Sequence, residues 1–129
     1  MPEDTIARRR LEIWNWYYAA TADLERRERL RRPIVPAHCT HNAHMFYVIV
    51  ESRERRTAVL AALAAGGVNA VFHYVPLHSS PAGRRLGRVA GDLCVTENLS
   101  ERLIRLPLWI GLGPADIDRI VRILTRALA

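Results

Sequence analysis

Apolar residues open the chain at helical spacing. Ile6, Ile13, Tyr17 and Leu24 follow one another at sevens and fours, and Trp14 and Tyr18 widen the stripe. This predicts one long helix over residues 3–31. Pro33 and Pro36 end it, because proline cannot continue the backbone ladder and biases the residue before it toward extended geometry. A helix this long and aromatic needs a large surface to pack on, so part of the stripe is expected to be bare in a small domain.

The pattern then changes period. Met45 to Val50 is an apolar run rich in β-branched and aromatic residues and predicts a strand. Ser52 is placed to cap a helix whose buried face is Val59, Leu60 and Leu63, and Gly66-Gly67 stops it. Ala70 to Tyr74 returns as a second strand. Ser79-Ser80-Pro81 is a helix start, with serine to cap and proline in the first turn. Arg84 to Asp92, rich in glycine and arginine, is expected to be mobile. Glu97 to Ile104 predicts a short helix. Arg105 to Leu108 predicts an edge strand, where Pro107 is tolerated. Gly113-Pro114 opens a final helix with a stripe of Ile117, Ile120, Val121, Leu124 and Leu128. The order α-β-α-β-α-α-β-α, with so few strands, predicts a small sheet with helices on one face.

Composition narrows the function. A chain of 129 residues with 50% hydrophobic content fits one domain with a real core. No apolar run reaches the roughly 18 residues of a membrane span, and the polar N-terminus is not a signal peptide. Two cysteines, Cys39 and Cys94, make no disulfide framework, which points to a reducing cytoplasm. The net charge of +6 invites a nucleic-acid reading, but the charges interleave. Asp23–Arg27, Glu25–Arg29 and Glu28–Arg32 are acid-first i,i+4 pairs, the mark of a solvated helix face. Only Arg8-Arg9-Arg10 is undiluted, and no aromatic residues alternate with basic ones as stacking platforms would, so the pattern argues against nucleic acid. All nineteen basic residues are arginine. Chemistry that needs a lysine amine is therefore closed to this chain acting alone.

Three groups of residues could carry chemistry. His38, Cys39, His41 and His44 crowd into one short stretch, but the spacing fits no zinc finger and no second ligand cluster completes a site. They read as a polar loop leading into a strand. His73 and His78 flank a proline-stiffened turn with Tyr74 between them. They offer either acid/base and hydrogen-bonding groups for a ligand or ordinary structural hydrogen bonds at a strand end. No catalytic triad can be assembled around either cysteine, and Gly83, Gly87 and Gly91 follow no phosphate-loop fingerprint.

Three longer stretches carry a resemblance. They are Asn42-Ala43-His44-Met45-Phe46-Tyr47, the run Ala70 to His78 continuing to Pro81-Ala82-Gly83, and Ser100 to Leu108. Together with the helix Leu11 to Tyr18, they resemble the C-terminal domain of the DegT/DnrJ/EryC1/StrS family of pyridoxal-phosphate-dependent sugar aminotransferases. Within it the nearest likeness is to the dTDP-4-amino-4,6-dideoxygalactose transaminases of enterobacterial common antigen synthesis.

The resemblance implies an α+β fold. Residues 1–32 would be a linking helix, and residues 33–129 a small domain with a short, mainly antiparallel sheet and helices on one face. It implies a reaction that moves an amino group from glutamate to the 4-keto carbon of a dTDP-linked 6-deoxy sugar. Pyridoxal phosphate would serve the complete enzyme and not this chain alone, since the Schiff-base lysine belongs to the family's large domain. His73, Tyr74 and His78 would line the substrate side as positioning groups, with His44 as structural support. The implied partners are the missing catalytic half or a homodimer partner, and the implied substrate a dTDP-sugar. The chain is then expected to be a truncated or split gene product, inactive alone, with the bare aromatic stripe of its first helix marking the missing half. The alternative is a free-standing, non-enzymatic module that binds nucleotide sugars or anions through its arginines.

Overall fold

A computed structural model describes residues 3–129. Among the described residues it has six helices: α1 (Glu3–Ala20), α2 (Ala22–Arg26), α3 (Arg53–Ala65), α4 (Pro81–Leu86), α5 (Cys94–Arg102) and α6 (Pro114–Ala127). Three strands join them, β1 (Phe46–Ile49), β2 (Val71–Phe72) and β3 (Leu103–Leu106), with a single 3-10 turn over Leu77–Ser79. The class is α+β, as the pattern of elements predicts.

The sheet runs β1-β3-β2, and both pairings are antiparallel. β1 and β2 are joined through α3, and the last strand slots between them, a split βαβ arrangement. Phe46 stands opposite Leu106, Val48 opposite Ile104, and Phe72 also opposite Ile104. Directly opposed residues share a face, so these side chains line one surface of the sheet. α1, α3 and α6 cover that surface. Ile13 and Tyr17 of α1, Val59 and Leu63 of α3, and Ile117 and Leu124 of α6 close the core around Phe46 and Ile104. The Tyr17 ring stacks on Phe46 at 5.0 Å and its hydroxyl donates to Pro107 O at 2.8 Å. Burial, and secondarily the nearby Asp116, pushes the Tyr17 phenol above its ordinary range.

Local signals in the sequence act where expected. Ser52 Oγ accepts from Arg55 N at 3.1 Å, and Ser80 Oγ from Gly83 N at 3.0 Å. α3 ends at Gly66, and Gly67 turns the chain with φ +72°, a conformation that favours glycine. Asp116 accepts from the Gly113 amide at 2.9 Å at the head of α6. The predicted α6 stripe is buried throughout.

Several expectations need correction. The first helix is not continuous to residue 31: it breaks at Thr21 and ends at Arg26, and Glu28 turns the chain with φ 57°. Of the three predicted i,i+4 pairs, Asp23–Arg27 forms at 2.7 Å. Glu25 instead pairs with Arg32 at 2.6 Å, and that guanidinium lies 3.9 Å over the Tyr18 ring. Burial pushes the Glu25 carboxyl up, but the Arg32 backbone and side-chain bonds, with the Arg32 and Arg31 charges, hold it below the usual range. The Arg8-Arg9-Arg10 cluster is not a free patch. Arg9 bonds Glu12 and donates to the carbonyls of Ile110 and Leu112, clamping α1 to the loop before α6.

Nor is the aromatic stripe of α1 bare, for Ile13, Trp14 and Tyr17 are buried in the chain's own core. The segment Arg105–Leu108 is not an edge strand. β3 starts earlier, at Leu103, lies between β1 and β2, and ends at Leu106, so Pro107 falls past the ladder. The predicted helix over 97–104 is shifted: α5 starts at Cys94 and yields Leu103 and Ile104 to the strand. The first part of the glycine- and arginine-rich stretch is helical, in α4.

The uncovered apolar surface lies elsewhere. Between Val68 and Ile104 no residue is buried. Tyr74, Leu77 and Leu86 are 75%, 78% and 79% exposed, in a chain whose core is otherwise well closed. That segment carries the helices α4 and α5 and the turn that the sequence marks as a candidate site.

Candidate functional site

The site begins at the free edge of the sheet. β2 is only two residues long, so the chain leaves the ladder after Phe72 and runs through Pro76 into the 3-10 turn and α4. α5 then crosses back over β2 and α3. Between these elements lies an open cleft of about 840 Å³, walled by Arg53 and Arg56 of α3, Phe72, Tyr74, Arg84 of α4, and Glu97 of α5.

The three sequence-predicted residues do not converge on one cavity. Tyr74 lines this cleft. His78 lines a second hollow of about 510 Å³ on the other side of the turn, with Leu77, Leu86 and Val89. Glu97 links the two, since its Oε1 lies 3.1 Å from His78 Nε2 while its side chain reaches the first cleft. His73 lines neither cavity. Its ring instead packs against that of Tyr74, with centroids 4.9 Å apart and planes tilted by 59°. It comes under the influence of Arg105 and His44.

His73 Nδ1 is buried and has no hydrogen-bond partner among the described residues. Burial, then the charge of Arg105 and the proximity of His44, lowers the imidazole pKa below its ordinary value of 6.5. The ring is therefore neutral at pH 7. As pH falls through about 6.5 and below, the unfolded chain takes up a proton that the folded chain resists, so stability is lost toward acid. His73 is partly exposed, which keeps that slope shallow. The NMR titration of His73 is expected to fall at lower pH than that of an unfolded-peptide histidine. A midpoint at or above 6.5 would contradict this environment.

Four residues of the cleft were not legible in the sequence: Arg53, Arg56, Arg84 and Glu97. Arg56 lies 5.2 Å over the Phe72 ring and donates from Nη1 to Ser100 O at 3.3 Å. Arg53 reaches Glu101 at 3.8 Å. The available signal was Arg53 and Arg56 at i,i+3 on a helix that follows a strand, a spacing that puts both on one face.

The other candidate groups take structural places. The His41 ring packs edge-on against Trp14 at 4.6 Å, and His44 Nδ1 lies 3.1 Å from Asn42 Oδ1. Among the described residues no three His, Cys, Asp or Glu side chains come together as a metal site, and Cys39 and Cys94 are free and exposed. No described helix is long and apolar enough to cross a membrane.

Comparison with known proteins agrees with this architecture. The sequence pattern of the DegT/DnrJ/EryC1/StrS aminotransferase family matches residues 3–125. The chain is 32% identical over 109 residues to dTDP-3-amino-3,4,6-trideoxy-alpha-D-glucose transaminase of Micromonospora megalomicea subsp. nigra, covering 81% of this chain and 28% of that protein. It is 30% identical over 115 residues to UDP-N-acetyl-3-dehydro-alpha-D-glucosamine 3-aminotransferase of Acidithiobacillus ferrooxidans, covering 88% of this chain and 28% of that protein. Among solved structures, the aminotransferase TlmJ from Streptoalloteichus hindustanus superposes with a TM-score of 0.82 at 27% identity, over 97% of this chain and 32% of that one. The chain thus spans less than a third of the length of the relatives it matches.

Proposed function

Since the chain belongs to the DegT/DnrJ/EryC1/StrS aminotransferase family, we propose that it is the C-terminal part of a sugar-nucleotide transaminase and works only with a lysine-bearing catalytic domain. The substrate is a dTDP-linked 4-keto-6-deoxyhexose, glutamate is the amino donor, and the product serves surface polysaccharide synthesis of the enterobacterial common antigen type. The observation that carries this reading is the unburied stretch between Val68 and Ile104 in a chain that matches less than a third of its relatives. Exposed apolar patches of this kind mark surfaces that meet a partner. Within that stretch His73, Tyr74 and His78 are the substrate-side positioning groups, and Glu97 fixes His78.

Pyridoxal phosphate in this chemistry is held by a lysine amine. None of the 129 residues is lysine, so this chain does not fit the cofactor by itself. The cofactor's part of the reaction, stabilising the carbanion while nitrogen changes hands, belongs to the partner domain. What this chain contributes is shape, hydrogen bonds and exclusion of water at the sugar.

The test is co-expression with a lysine-bearing catalytic domain of the same family. The pair is expected to co-purify and to convert dTDP-4-keto-6-deoxyglucose with glutamate, with 2-oxoglutarate released in equal amount. The chain alone is expected to show no visible cofactor absorbance after incubation with pyridoxal phosphate. Separate elution of the two chains, or an absorbing adduct on this chain alone, would sink the reading. Preference for a 3-keto over a 4-keto substrate would move the assigned carbon and leave the class intact.

A further inference from the structure

The segment from Val71 to Glu101 forms one wall of the cleft, and few contacts hold it against the rest of the chain. None of its residues is buried, so it adds no closed apolar layer to the core. The backbone hydrogen bonds of its turns and caps stay within it. β2 meets β3 through only two residue pairs. The other fastenings come from α3. Arg53 reaches Glu101 at 3.8 Å, but both side chains are more than half exposed, where an ion pair contributes little. Arg56 does more, because it grips both ends of the segment. Its guanidinium lies 5.2 Å over the Phe72 ring at the first end, and its Nη1 donates to Ser100 O at 3.3 Å at the other. Inside the segment, His78 and Glu97 lie 3.1 Å apart and join the turn to α5. The core closes without any of this. Four residues of β3 pair with β1, and α6 packs on both α1 and α3, so the chain before the segment and the chain after it hold each other directly.

We infer that residues 71–101 form a strap that swings off α3 as one unit, with Arg56 as its clasp, while the core stays folded. Opening breaks few apolar contacts, which makes it the easiest large excursion open to this fold. It also takes the cleft apart, since Arg53 and Arg56 stay on α3 while Tyr74, Arg84 and Glu97 leave with the strap. The inference is independent of the transaminase reading, because every contact in it lies within this chain. The test is amide hydrogen exchange by NMR on the 129-residue chain. Amides of β2 and α5 are expected to share one opening constant, at least about a hundredfold larger than that of Val48 and Leu124 in the core. Arg56→Gln removes the stacked charge and the bond to Ser100 O, and is expected to raise that shared constant about tenfold without changing exchange at Val48 or Leu124. Arg55→Gln is the control, because Arg55 pairs with Glu51 and does not touch the strap. Phe72→Ala loosens the clasp from its other side, and Phe72 is 47% exposed, so this variant folds even if Arg56→Gln does not. A common opening constant for α5 and α6 would overturn the strap, since the segment would then open only with the core. Different constants for β2 and α5 would show that it does not move as a unit. An equal effect of Arg55→Gln and Arg56→Gln would remove Arg56 as the clasp.

Discussion

Phe46→Ala is expected to lower the unfolding free energy by about 3–5 kcal/mol, the usual cost of truncating a fully buried phenylalanine. Phe46 has no exposed surface. Its ring stacks on Tyr17 at 5.0 Å and meets Trp14 edge-on at 5.5 Å. It also stands opposite Leu106 in the ladder, where strand β1 meets the helical layer. Removing the ring takes away its contacts with two aromatic rings of α1 at once, and the rigid helix and sheet cannot both close on the cavity. Domains of this size have only about 5–15 kcal/mol of net stability, so the variant loses a large share of it. Denaturant unfolding measures the loss as a lower midpoint at unchanged slope. Phe72→Ala is the matched control, because Phe72 is 47% exposed and lies outside the core. Equal losses for the two variants would mean that the core has been misplaced.

Gly83→Ala is expected to dismantle the turn between β2 and α4 while leaving the core intact. A Cβ built on Gly83 would overlap the Leu77 carbonyl oxygen and lie 2.7 Å from its carbon. Those are backbone atoms, so no side chain can swing aside. Either the 3-10 turn or α4 must move, and with it goes the bond from Gly83 N to Ser80 Oγ that caps the helix. α4 has six residues and buries none of them, so it has no packing energy with which to resist. Amide exchange is expected to accelerate across residues 76–87 and the His78–Glu97 contact to be lost. Global stability is expected to change little, since no residue between Val68 and Ile104 is buried. Wild-type amide shifts in this turn would show that Leu77 and Gly83 are not in such close approach. Global unfolding would show that the segment is more deeply integrated than its burial indicates.

The two variants separate two halves of the molecule that differ in how they are held. Residues 13–68 and 104–128 form one closed apolar cluster. The intervening segment is held by the two-residue pairing of β2 with β3, by caps, and by polar contacts such as His78–Glu97, Arg53–Glu101 and Arg56 over Phe72. Local opening is easiest where few apolar contacts must be broken. The part that carries the candidate site is also the part that a partner surface can reshape.

The sequence by itself determined the elements and their order, because caps, breakers and periodicity act locally. Ser52, Ser80 and Gly67 do their work within a few residues. The α6 stripe and the apolar, β-branched run of β1 are visible without knowing what they pack against. Family membership was also legible, since the motifs around Phe46, His73 and Pro107 are contiguous. Only the tertiary structure decided the rest. Pro107 suggested an edge strand, yet the strand stops at Leu106 and lies in the centre, because pairing on both sides is set by partners more than thirty residues away in sequence for β2 and more than fifty for β1. The aromatic stripe of α1 looked bare because nothing local tells a helix that its own sheet will cover it. His73, Tyr74 and His78 looked like one site because they are close in sequence, but the stiff turn divides them: Tyr74 lines the cleft with the His73 ring packed against it, while His78 lines the second hollow. The cleft joins α3, β2, the turn and α5, and the arginines that line it meet only when the sheet and helices have packed.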